Sequence, residues 1–79
     1  MPTFTISVVN ETFCSSNQHE GDTVDAATLQ AIRAALQIGT DEVAGGKSFF
    51  AAEVKVETAN QTVGRFIVSV GASPLQIVD

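Results

Sequence analysis

Positive charge is scarce in this chain. Four basic residues, Arg33, Lys47, Lys55 and Arg65, stand against nine acidic ones, for a net charge of −5, and the four are spread out rather than clustered. Nucleic acids are bound chiefly by neutralising phosphates with Lys and Arg, so the composition argues against a nucleic-acid ligand. An anionic membrane surface is disfavoured for the same reason. Charge of either sign is thin: charged residues make up 16% of the chain, against about 25% in ordinary globular domains. No apolar run approaches the roughly 18 residues of a membrane-spanning helix. The start, Met1-Pro2-Thr3, has neither the basic nor the apolar region of a secretory signal. The single cysteine, Cys14, rules out an intramolecular disulfide. These absences together lead to the expectation of a cytoplasmic chain without a nucleic-acid or membrane partner.

What is present points to a folded core. Hydrophobic residues are 44% of 79, enough for one domain spanning residues 1–79. A chain of this length buries only about 60% of its extended surface, so its stability is marginal and self-association would add to it. The central feature is an amphipathic helix expected over Asp25–Ala44. Leu29, Ile32, Leu36 and Val43 recur at helical spacing with Gly39 on the same stripe, and Ala35 and Ile38 widen it. Asp25 is the expected N-cap, with Val24 and Leu29 as a hydrophobic staple. Gly45-Gly46 supplies a stop signal. Gly39 costs about 1 kcal/mol relative to Ala in a helix interior, and is read as a point of close packing against a sheet rather than a break.

Strand-like segments flank the helix. Residues 3–9 alternate, with Phe4, Ile6 and Val8 on one side. Asn10-Glu11 reads as a turn, residues 12–15 as a short returning strand with Phe13 inward, and the polar stretch 16–21 as loop. Residues 48–58 alternate again, with Phe50, Ala52, Val54 and Val56 sharing a face. A turn centred on Asn60 leads into a strand over 63–71 with Phe66, Val68 and Val70 inward. Pairing Glu57 with Val63 sets Val56 against Gly64, Val54 against Phe66, Ala52 against Val68 and Phe50 against Val70. Lys55 then meets Arg65, with Glu53 and Glu57 on the diagonals. The expected fold is α+β: one helix packed on an antiparallel sheet of three to four strands, in the order β(β)αββ, with residues 72–79 as a C-terminal tail.

Few motifs carry chemistry. Gly46-Lys47-Ser48 looks like the end of a phosphate-binding loop, but Asp41 stands where the first glycine belongs, and a helix precedes where a strand is needed. Cys14, His19, Glu20 and Asp22 are the only cluster of reactive side chains. Cys14 and His19 have the chemistry of a nucleophile–base pair or of two ligands of a metal site that needs three or four. Glu53 and Glu57 are about 13 Å apart on a strand, too far for paired acid–base work. The sequons at Asn10 and Asn60 are taken as chance occurrences. No catalytic residue, metal or cofactor is assigned.

The pattern resembles an uncharacterised family of short bacterial proteins, a domain of unknown function. The likeness rests on the first strand Phe4-Thr5-Ile6, the acidic–Gly pair Glu20-Gly21, the Asp25-Ala26-Ala27 helix start, and Val63-Gly64-Arg65-Phe66 through Val68-Ser69-Val70-Gly71. It implies the same small αβ fold and brings no activity. Gly21-Asp22-Thr23 followed by an alanine-bearing helix is similar to HicB-type antitoxins over about a quarter of the chain. That likeness implies a toxin-type protein partner and a regulatory role.

The expected function is therefore a small non-catalytic interaction module that self-associates, as a homodimer for example, or binds a protein partner. The contact surface is the outer sheet face, partly apolar through Val9, Phe49, Ala51, Val63 and Ile67. The interface candidates are Phe49, Val63, Ile67, Leu75 and Ile77. The alternatives are a small enzyme or metal-binding protein using the Cys14–Asp22 loop, or an antitoxin-like regulatory subunit.

Overall fold

A computed structural model describes residues 3–73 and 75. Its elements are β1 (Thr3–Val9), β2 (Cys14–Glu20), α1 (Val24–Ala44), β3 (Phe49–Glu57) and β4 (Thr62–Gly71). The four strands form one antiparallel sheet in the spatial order β2-β1-β3-β4. The helix lies across β1, β3 and β4 on one face. The architecture is the expected α+β arrangement, in chain order β-β-α-β-β with all four strands formed.

The first hairpin is closed by one side chain. Oδ1 of Asn10 accepts hydrogen bonds from the Thr12 N–H (2.9 Å), the Thr12 hydroxyl (2.9 Å) and the Phe13 N–H (3.1 Å). The Asn10 N–H donates to the Phe13 carbonyl at 3.0 Å. An Asx-type turn of this kind replaces backbone bonds that the reversal would otherwise leave open. The returning strand is longer and later than the sequence predicts. Residues 16–20, expected as loop, pair with β1 from Ser7↔Ser16 to Thr3↔Glu20. The physical reason is position. An edge strand away from the helix buries little on either face, so Ser, Asn and Gln suit it and the hydrophobic alternation that marks a strand is missing. Phe13 does point inward and stacks on Phe50, with ring centroids 6.3 Å apart.

The helix is capped two residues earlier than expected. Thr23, not Asp25, is the N-cap, its hydroxyl accepting from the Ala26 N–H at 3.1 Å. Asp25 then sits in the first turn, where its charge complements the helix dipole. Val24 becomes the first helical residue, so the Val24–Leu29 staple does not form, and both side chains are exposed. At the other end the Lys47 N–H bonds the Glu42 carbonyl (3.2 Å) and the Gly46 N–H bonds the Val43 carbonyl (3.1 Å). That is a Schellman closure, and Gly46 supplies the positive φ of 118° it needs.

The buried stripe of the helix is Ala27, Ala31, Ala35 and Gly39, one residue per turn. Leu29 and Leu36, expected to lead the core face, are 50% and 41% exposed, while Ile32, Ile38 and Val43 are partly buried along its margins. The small stripe lets the helix backbone approach the sheet, whose own large side chains fill the core: Phe4, Ile6, Val8, Phe50, Val54, Val56 and Val68. Hydropathy alone ranks Leu above Ala and points to the wrong side of the helix. Gly39 is the point of closest approach, as expected. A Cβ there would stand 2.7 Å from side-chain atoms of both Phe50 and Val70.

The β3–β4 register matches the predicted one from Val56↔Gly64 to Phe50↔Val70. It differs at the turn, where Glu57 pairs with Thr62 and a bulge follows at Val56/Glu57. The turn is built on Thr58, whose hydroxyl accepts from the Gln61 N–H (3.3 Å) and whose N–H donates to the Gln61 carbonyl (2.8 Å). Among the described residues no non-glycine residue has positive φ, so Asn60 does not use a left-handed conformation.

Candidate functional site

The outer face of the sheet follows from the alternation. With Ile6, Val8, Phe50, Ala52, Val54, Val56 and Val68 buried under the helix, the intervening residues project the other way. Reading across the strands, Cys14, Val9, Glu53 and Ile67 form one row, and Ser16, Ser7, Lys55 and Arg65 the next. Ala51 lies beside Ser69, and Phe49 beside Gly71, at the end of the sheet next to the Val9 row. The face is therefore divided. One end carries Phe49 and Ala51, the next row sets Glu53 between Val9 and Ile67, and Lys55, Arg65 and Glu57 follow.

The apolar end is open. Phe49 is 63% exposed and Ile67 72%, high values for large apolar side chains in a small domain; they stand on the same face about 13 Å apart along the strands, with the Ala51–Ser69 row between them. A hollow of about 300 Å³ lies beside Phe49, lined by Asn10, Glu11, Thr12, Lys47, Phe49, Phe50 and Ala51. A second, of about 220 Å³, is lined by Glu53, Arg65, Phe66 and Ile67. Glu53 crosses the diagonal to Arg65, with its carboxylate 3.0 Å from the guanidinium. Lys47 is 3.0 Å from Glu42. Two of the four basic side chains are thus partnered within the chain, and neither pair leaves a bare cation for a phosphate.

The sequence-derived interface residues fare differently. Phe49 and Ile67 lie on the outer face as expected. Val63 does not: at the bulged end of β4 it is half-buried and packs against the core. The bulge adds a residue there and turns Val63 off the alternation that put it outward. Leu75 is fully exposed, and Ile77 lies outside the described residues. Val9 and Ala51, which the sequence also assigns to this face, border it.

Most of the Cys14–Asp22 segment, Cys14–Glu20, is a strand and not a loop, and this separates its reactive groups. Cys14 pairs with Val9 on the outer face, and His19 pairs with Phe4 on the helix-covered side. Five residues along a strand is about 17 Å, and an odd spacing puts the two side chains on opposite faces. Cys14 and His19 of one chain therefore cannot act on each other. Glu20 is on the outer face at the far end from Phe49, Asp22 lies beyond the strand, and the His19 ring sits against Gly21. Among the described residues no three His, Cys, Asp or Glu side chains are grouped to hold a metal. No described helix is long and apolar enough to cross a membrane. Comparison with protein-family models, curated proteins and solved structures gives no match, so the function rests on the chain's own geometry.

Proposed function

We propose that this protein is a non-catalytic interaction module that engages another protein through the apolar end of its outer sheet face. The observation that carries the reading is the exposure of Phe49 and Ile67, 63% and 72%, with Ala51 between their rows and Val9 across Glu53, the one charge among them being held by Arg65. Large apolar side chains gathered on one face of a small domain mark a contact surface more often than an accident of folding. The central Glu53–Arg65 pair would form the polar rim of that contact. The net charge of −5, with Lys47 and Arg65 already bonded to carboxylates, supports a protein partner over a nucleic acid or an anionic membrane. We place the protein in the cytoplasm, where a free Cys14 is ordinarily kept reduced.

Charge substitution at the centre of the patch tests this. Phe49→Asp and Ile67→Asp should keep the circular dichroism of the wild type and lose the partner captured from host-cell lysate by the tagged wild-type protein, as read by mass spectrometry. Both side chains project away from the core, so Phe49→Asp should change folding by under about 0.5 kcal/mol, and Ile67→Asp, which faces Glu53 directly, by about 1 kcal/mol. Equal capture by wild type and both variants would end the outer-face reading. The partner's own identity would separate a regulatory subunit of antitoxin type from an adaptor.

A further inference from the structure

Among the described residues β4 is an outermost strand, and the edge that no described strand pairs can be located residue by residue. The Ala72 N–H donates to the Ser48 carbonyl at 3.0 Å. Ser48 and Ala72 continue the register in which Phe49 meets Gly71 and Phe50 meets Val70. In an antiparallel ladder the directly bonded pairs recur at every second residue. Phe50–Val70, Ala52–Val68 and Val54–Phe66 are therefore the bonded pairs. Arg65, Ile67 and Ser69 turn their N–H and C=O groups away from β3, to the side where no described strand lies.

The helix flank above that edge is apolar as well. The missing Cβ of Gly39 would point between Phe50 of β3 and Val70 of β4. On the other side, Ile38 and Asp41 share a hollow with Lys47, which also borders Asn10–Thr12 at the first hairpin. The flank beyond Gly39 therefore leans over β4. By helical spacing Ile32 and Val43 lie on it, and Leu36 and Leu29 lie farther out, where they are exposed. Beneath them Phe66 and Val70 are only partly buried, unlike Val54 and Val56 of β3 at 0%. The core is open along this side.

We infer that β4 is the dimerisation edge: two copies of this chain join β4 to β4 antiparallel, making one continuous eight-stranded sheet with the Leu29–Leu36 flanks packed across the dyad. Three features select a second copy as the occupant. An antiparallel edge complements itself, and pairing centred on Ile67 lets Arg65, Ile67 and Ser69 of each copy form about six main-chain bonds. The only charge on β4, Arg65, is already held by Glu53 at 3.0 Å and falls opposite Ser69 of the second copy, so no like charges meet. The strip is also large enough. Ten residues of strand span about 33 Å, and helix plus sheet stand about 20 Å tall, giving roughly 650 Å² per copy, or about 1,300 Å² in all, within the ~1,200–2,000 Å² of specific complexes. The seam shares Ile67 with the outer-face patch, but it is built on the main chain of β4 and the helix flank and does not rest on the outer-face reading; Phe49→Asp, which lies off β4, separates the two.

Ser69→Pro tests the edge directly. Proline removes only an N–H that points away from β3 in one chain, so the β3–β4 ladder keeps its bonds. In the dimer the same change deletes a bond and inserts a ring into the seam. Sedimentation over a micromolar-to-millimolar series should give the wild type at twice the 8.3 kDa of one chain. Ser69→Pro should dimerise on the order of 100-fold more weakly, Leu36→Glu should also weaken it, and Phe49→Asp should leave it unchanged. In wild-type protein, the amides of Arg65, Ile67 and Ser69 should exchange slowly when concentrated and fast when dilute, a readout that needs no variant. A wild type that remains at one-chain mass with fast exchange at all three amides overturns the proposal. So does a folded Ser69→Pro protein that dimerises like wild type, and loss of the dimer in Phe49→Asp alone would assign self-association to the outer face instead.

Discussion

β2 and β4 hold equivalent places, each outermost in the sheet and each bonded to a single neighbour among the described residues, yet they are made of different material. β2 reads Cys-Ser-Ser-Asn-Gln-His-Glu, has no aliphatic side chain, and lies beyond the strands that the helix covers. β4 carries Phe66, Ile67, Val68 and Val70, supports the helix at Gly39, and leaves part of the core open along its edge. The contrast teaches how a small domain manages two sheet ends. One is closed by making it unattractive to other strands, since a polar edge gains little from extra pairing. The other remains apolar, as an edge intended for cover would be.

The contrast can be broken most severely at Gly39. Gly39→Leu should destabilise the fold by about 3 kcal/mol or more, because its Cβ would already stand 2.7 Å from Phe50 and Val70. Ala34→Leu, on an exposed position of the same helix, should change stability by under about 0.5 kcal/mol. Similar melting curves for the two would show that the helix does not press on β4 as described. A smaller effect is expected on the β2 side. Asn10→Ala removes the acceptor of three hydrogen bonds and should cost about 1–2 kcal/mol. Its amide-exchange signature should be local, with faster exchange through Ser15–His19 and continued protection of Val54 and Phe66. Equal acceleration in both hairpins would mean that the two sheet ends unfold as one unit. The smallest effect is at Glu53. Glu53→Gln loosens its contact with the largely exposed Arg65 and should cost about 0.2–1 kcal/mol, with a weak salt dependence in the wild type. A larger loss would mean that the ion pair anchors β4 rather than decorating it.

The chain was most legible where two periodicities agreed. The β3–β4 hairpin could be registered from residue types alone, because large side chains meet small ones at Val56–Gly64 and Phe50–Val70 and an error of one residue would turn every apolar group outward. Phe49 and Ile67 were legible as outward-facing for the same reason. Val63 was not, since a one-residue bulge leaves no mark in hydropathy. β2 was hidden by its polarity, and with it the separation of Cys14 from His19. A reading of that segment as loop allows the two to approach, whereas a strand holds them on opposite faces. The helix was placed correctly along the chain but rotated wrongly, because Leu29 and Leu36 outweigh Ala31 and Ala35 on any scale of hydrophobicity.

By itself the sequence determined the elements that bury much surface, namely the helix, the alternating strands around it and the Gly45-Gly46 stop, together with a net charge of −5. These follow from local periodicity and composition, and each residue contributes to them wherever its neighbours in space happen to be. The strand order β2-β1-β3-β4, the choice of the alanine stripe over the leucines, and the identity of the open edge were decided only by tertiary structure. They depend on distances between segments far apart in the chain. How close a helix can approach is set by the smallest residues on its face and the largest beneath them. Which strand is left uncovered is settled only after every other apolar surface has found its cover.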